Sequence, residues 1–155
     1  MILAIMIISI FASPTESMYA KEKQDTHEFI LHYECRGWPT RLEAYPDYKG
    51  YSIGCGTPSY KGERITKDEA YRRFYAYVDT GVALVKRSFP NARGDQLTAL
   101  VSLATNNHTC FTYFRKHGIS EWIWREKCDN VKVDGKLKEL AGLHERRNTE
   151  ADLYF

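Results

Sequence analysis

Apolar side chains recur along this chain first at helical spacing, then at strand spacing, then at helical spacing again. Asp25 with Glu28 three residues later is a capping-box pattern, and Phe29, Ile30 and Tyr33 follow on one helical face. The spacing predicts a helix that opens at Asp25, after a loose polar Lys21–Gln24, and ends at Gly37 and Pro39. From Leu42 to Gly56 short apolar pieces alternate with Pro46-Asp47 and Lys49-Gly50, the pattern of two or three strands joined by turns. Thr66 and Glu69 form a second capping box. Beyond it, Tyr71, Phe74, Tyr75, Val78, Val82 and Val85 mark one long helix that stops at Pro90, with Gly81 as a candidate bend. Asp95 is the expected cap of a third helix, which presents Leu97, Leu100, Val101 and Ala104 on one side. The rest, Phe111 to Phe155, reads as short helices separated by Gly118, by Asn130 to Gly135 and by Gly142. The fold class expected is α+β, with a small β-rich lobe and a helical lobe joined by a long helix.

The first residues change the compartment. Met1 to Ala12 is apolar apart from Ser9, and the polar turn Ser13–Ser17 follows. The run is short for a membrane span and fits the apolar region of a secretory signal, with cleavage near residue 17. No Lys or Arg precedes it, which leaves three other readings: a releasable membrane anchor, a buried element, or a true start at Met18. The domain division is therefore 1–17 as signal or anchor and 18–155 as one domain. Transient membrane contact through the N-terminal segment is expected, and otherwise a monomer.

Composition narrows the partners. The 22 basic and 20 acidic residues nearly balance, without the basic stripe that nucleic-acid binding would need. Eleven tyrosines and three tryptophans suit a sugar-binding cleft as well as a core. The four cysteines lack the close paired spacing of a zinc site and agree with export. Of the three pairings open to them, Cys35–Cys55 and Cys110–Cys128 join segments that the predicted elements bring together. Five histidines form no ligand cluster, so neither metal nor cofactor is expected.

Cleaving a glycosidic bond requires a proton for the leaving oxygen and a second carboxylate to activate water or stabilise the cation. Glu34, at the end of the first helix beside Tyr33 and Trp38, is the candidate acid. Asp47, on a solvated turn, is its candidate partner. The segment carrying them resembles the signature of the phage-type lysozymes, or endolysins, of glycoside hydrolase family 24. Glu34 is followed by Arg41-Leu42-Glu43-Ala44-Tyr45-Pro46-Asp47 and by Ser52-Ile53-Gly54-Cys55-Gly56, standing where that family has its glutamate, its strand-and-turn aspartate and its glycine-rich strand. Gly62 to Ala70 is similar to the family's loop into the long helix. Gln96, Ala99 to Ser102 and Asn106 resemble its first helical-lobe motif, and Gly142-Leu143, Arg146-Arg147, Glu150 and Leu153 its C-terminal helix.

The resemblance implies a lysozyme-like fold and a muramidase that inverts the anomeric centre. It would cut the β-1,4 bond between N-acetylmuramic acid and N-acetylglucosamine in peptidoglycan, for cell-wall lysis. It also implies that Ser52 helps hold the attacking water, that Arg146 orients the acid through an ion pair, and that Asn106 lies at the substrate. Trp38 is expected either to form a lip over a sugar ring or to plug the lobe junction. The site of action would be the host periplasm, the outside of the cell or the virion. Twelve residues, Cys35 to Pro46, separate the carboxylates where the family usually has fewer, and Thr57 stands where a histidine often follows the glycines. These departures support a second reading, a catalytically impaired wall-binding or virion structural protein. A lytic transglycosylase would need no partner carboxylate.

Overall fold

The computed structural model describes residues 14–35, 41–47, 50–133, 136–139 and 141–155. The N-terminal apolar run and Trp38 fall outside the described residues, and Pro14 to Ser17 form the first turn of a helix.

That helix, α1 (Pro14–Cys35), begins eleven residues before the expected Asp25. Pro14 is tolerated in a first turn, where its missing N–H has no partner to lose, and Glu16 faces the positive end of the helix dipole. Strong helix formers fill Met18 to Gln24. Asp25 and Glu28 do not cap: Asp25 takes Lys21 Nζ at 2.6 Å and Glu28 takes Gln24 Nε2 at 2.6 Å, both one turn back. The first half of α1 is mostly exposed, and its burial begins at Thr26, His27 and Ile30.

Three antiparallel strands follow, β1 (Arg41–Asp47), β2 (Gly50–Gly54) and β3 (Thr57–Ser59), in that spatial order. Tyr45 lies opposite Ser52, and Asp47 opposite Gly50. The other side of β1 is taken by the incoming loop. Ala44 N–H donates to the Glu63 carbonyl at 2.9 Å, Ile65 N–H donates to the Leu42 carbonyl at 3.0 Å, and Arg64 pairs with Glu43.

Helix α2 (Lys67–Ser88) starts as its capping residues predict, with Thr66 Oγ1 accepting the Glu69 N–H at 3.2 Å. It runs unbroken through Gly81, which therefore marks no bend. A Cβ there would stand 2.7 Å from Thr105 Cγ2 and 3.1 Å from Val101 Cγ1, so glycine is what lets α2 approach α3 (Gly94–Asn106) closely. Leu97 to Ala104 of α3 are all buried, with α1, α2, α4 (His108–His117) and α6 (Ala141–Tyr154) packed around them. Asp95 lies in the first turn of α3 rather than at its cap, which is Arg93 and offers no side-chain bond. The Gly94 N–H instead finds Glu22 Oε1 at 2.9 Å, a carboxylate supplied by α1.

After α5 (Glu121–Lys127) the expected helical tail departs from expectation. Asn130–Val133 and Lys136–Glu139 form an antiparallel hairpin, β4 and β5, with Lys132 opposite Leu137. Val131-Lys132-Val133 and Lys136-Leu137-Lys138 alternate around Asp134-Gly135, a strong hairpin signal that the helical spacing of the neighbouring segments obscured. Gly142 is no separator, because it lies inside the first turn of α6. Two disulfides join segments: Cys35 to Cys55, with Cα atoms 5.2 Å apart, and Cys110 to Cys128, at 5.7 Å.

Candidate active site

Glu34 is the penultimate residue of α1, where the helix meets the three-stranded sheet. Its neighbour Cys35 is bonded to Cys55 at the end of β2, and the next residue, Gly56, adopts a φ of +81° that favours glycine. A Cβ on Gly56 would lie 3.8 Å from Glu34 Oε2. The other carboxylate oxygen, Oε1, accepts from Arg146 Nη1 at 2.6 Å. The Glu34 side chain keeps 27% of its surface exposed while Arg146 keeps 4%, so the acid meets solvent and the arginine does not. The resemblance implied an ion pair from Arg146, and the structure sets that guanidinium against Glu34, its carbon 5.3 Å from the Tyr33 ring centre.

Arg146 is itself held. Its Nε donates to Ser102 Oγ at 3.1 Å and to Glu150 Oε1 at 3.2 Å, and its Nη2 donates to Ser102 Oγ at 2.9 Å. Both anchors are fully buried. A cation held this way cannot swing toward solvent without abandoning charge-assisted bonds in a region of low dielectric.

Asp47 ends β1 and is exposed. Ser52 Oγ, buried on β2, donates to Asp47 Oδ2 at 2.6 Å. Since the hydroxyl donates to Asp47, the oxygen retains lone pairs that can accept a hydrogen bond from water. Tyr45 lies opposite Ser52 across β1 and β2. Burial pushes its phenol above the ordinary value; Arg41, 4.2 Å from the ring centre, opposes this, and the negative charges of Asp47 and Glu34 both reinforce it.

The structure brings Glu34 to Arg146 and Asp47 to Ser52. Asn106 ends α3, and its amide oxygen accepts from Arg147 Nη2 at 2.6 Å, so that oxygen is committed within the protein. Sequence reasoning missed Tyr77. It lies on α2 off the buried stripe, 40% exposed, with its hydroxyl donating to the Thr105 carbonyl at 2.7 Å. Burial raises its phenol above the ordinary range, the Glu34 charge adds to this and Arg146 opposes it. The available signal was a tyrosine on the polar side of an otherwise regular amphipathic helix.

No protein-family model and no curated protein sequence matches the chain. Solved structures do. An endolysin from Escherichia coli O157:H7 phage FAHEc1 is 26% identical, with 86% of this chain and 90% of that one covered and a TM-score of 0.62. The muramidase domain of SpmX from Asticaccaulis excentricus is 21% identical over 84% and 95% of the two chains, with a TM-score of 0.66. The active form of the P1 phage endolysin Lyz is 16% identical over 89% and 91%, with a TM-score of 0.61.

Proposed function

For a chain with the α+β fold of the phage-type lysozymes, we propose an inverting muramidase that hydrolyses the β-1,4 bond between N-acetylmuramic acid and N-acetylglucosamine in peptidoglycan. The observation that carries this reading is the pairing of each carboxylate with the partner its task requires. Glu34 is oriented by a buried arginine, and Asp47 is joined to a hydroxyl.

Glu34 gives its proton to the leaving glycosidic oxygen as the bond breaks. A water resting against Ser52 Oγ and Asp47 attacks the anomeric carbon from the opposite face, and its proton passes to Asp47. Arg146 then meets the Glu34 carboxylate that is left, so the charge created by the step is neutralised where it forms. Two disulfides and an apolar N-terminal run support action outside the cytoplasm, on the wall during lysis.

The purified protein is expected to solubilise peptidoglycan with new reducing ends. Glu34→Gln should lower that rate by at least about a hundredfold, as loss of a general acid does, and Asp47→Asn should remove most of it. Reducing-end assays with mass spectrometry of the products decide. Undiminished turnover by folded Glu34→Gln overturns the assignment, and anhydro-sugar ends would indicate a transglycosylase instead.

A further inference from the structure

We infer that Glu150 is a positioning residue, the buried counter-ion that divides the charge of Arg146 and so sets how readily Glu34 gives up and regains its proton. This rests on the reading of Glu34 as the acid.

Glu150 is fully buried, and both its oxygens are occupied. Oε1 accepts from Ser102 Oγ at 2.5 Å and from Arg146 Nε at 3.2 Å. Oε2 accepts from the Trp124 indole Nε1 at 3.1 Å and lies 2.7 Å from Arg147 Nη1. Arg147 is fully buried too. Its Nη1 is close enough for an ion pair but not aligned for a hydrogen bond, and its Nε has no acceptor among the described residues. Burial pushes the Arg147 guanidinium down to about 10, with Glu150 as the chief opposing influence. Glu150 therefore compensates Arg147 as well as Arg146.

Arg146, Arg147, Glu150 and Glu34 form one ionic cluster with zero formal charge when both carboxylates are ionised. During the reaction Glu34 must also hold a proton, and the cluster then carries +1. Without Glu150 those states would carry +1 and +2, and in a buried site the second is strongly disfavoured. An uncompensated Arg146 would grip ionised Glu34 and hinder its reprotonation between turnovers. Sharing Arg146 between two carboxylates lets it orient Glu34 without locking it. Among the described residues, the other titratable groups facing the cluster are Tyr33, Tyr45 and Tyr77 on the Glu34 side, and Asp129, paired with His144, on the Arg147 side.

The test is the pH profile of wall hydrolysis by the full chain. Glu150→Gln keeps the shape and removes the charge. It should move the alkaline limb to lower pH by on the order of one unit, the effect of one charge next to a shared guanidinium at intermediate dielectric. Arg147→Met should move that limb the other way, since Glu150 then compensates Arg146 alone. A purely structural role would lower the rate in both variants and shift neither limb.

Should Glu150→Gln fail to fold by circular dichroism, Arg147→Met and one measurement on the unaltered protein decide. The NMR signal of the Trp124 indole proton, bonded to Glu150, should titrate with the midpoint of the alkaline limb and stay still in Glu34→Gln. Unshifted limbs in the folded variants, or a flat indole signal across the limb, overturn the inference. The indole titration does not depend on turnover, so it tests the coupling even if Glu34 proves not to be the acid.

Discussion

The Cys35–Cys55 bond is the covalent link nearest the acid, and removing it separates positioning from stability. The two disulfides span 20 and 18 residues of sequence, so loop-closure entropy assigns each about 3 kcal/mol, equal within a few tenths. Their placement differs. Cys35 follows Glu34 and Cys55 precedes the glycine against Glu34 Oε2, whereas Cys110 and Cys128 tie α4 to the end of α5. The double variants Cys35→Ser/Cys55→Ser and Cys110→Ser/Cys128→Ser should thus lose similar stability in urea unfolding. Freed from the sheet, the end of α1 needs to drift by only about 1 Å to cost roughly a hundredfold in rate. Wall hydrolysis measured well below both melting temperatures should fall at least tenfold in the first variant and less than threefold in the second, on the order that this geometric argument allows. Equal losses of activity in two folded variants would refute the idea that this bond positions the acid.

Two further outcomes follow from the scaffold. Gly81→Ala drives a methyl against Thr105 Cγ2; overpacking of about 1–3 kcal/mol, less about 1 kcal/mol of gained helix propensity, predicts a net loss near 1 kcal/mol. Adding Thr105→Ser should restore most of it, since serine keeps the hydroxyl bonds to the Val101 and Ser102 carbonyls, and urea midpoints of the four proteins check this. Arg72 and then Arg73 hold the Glu69 carboxyl down at about 2, below its ordinary 4.5. A depressed carboxyl stabilises above its unfolded value and loses that contribution as pH falls through the folded one. The difference in denaturation midpoint between the unaltered protein and Glu69→Gln should therefore be largest above pH 4.5 and fade toward pH 2.

What the sequence made legible was what is local. Thr66 and Glu69 lie three apart and form the cap they suggest, and the α2 stripe follows the buried residues through Val85. Gly94 and Glu22 lie 72 residues apart, so no local pattern could show that α1 caps α3, and Asp95 drew the assignment by proximity. Asp25 and Glu28 misled for a related reason. Spacing of three is shared by capping boxes and helix interiors, and side-chain pairing one turn back favoured the interior. At the site, the resemblance to the phage-type lysozymes singled out Glu34, Asp47, Ser52 and Arg146 as candidates; type and position alone would not have. What holds Arg146 was not legible, because Ser102, Glu150 and, behind Glu150, Trp124 come from three different helices.

The loop that lies along β1 has a further consequence. Strand edges are places where a foreign chain can add itself, and the proposed work among the extended peptide stems of a cell wall would bring many such chains near. Here the outer side of β1 is already bonded by Glu63 to Ile65. On the far side β3 is three residues long and has Pro58, which lacks an N–H, at its centre. The sheet that carries Asp47 and Ser52 therefore offers almost no template for unwanted strand addition or edge-to-edge aggregation.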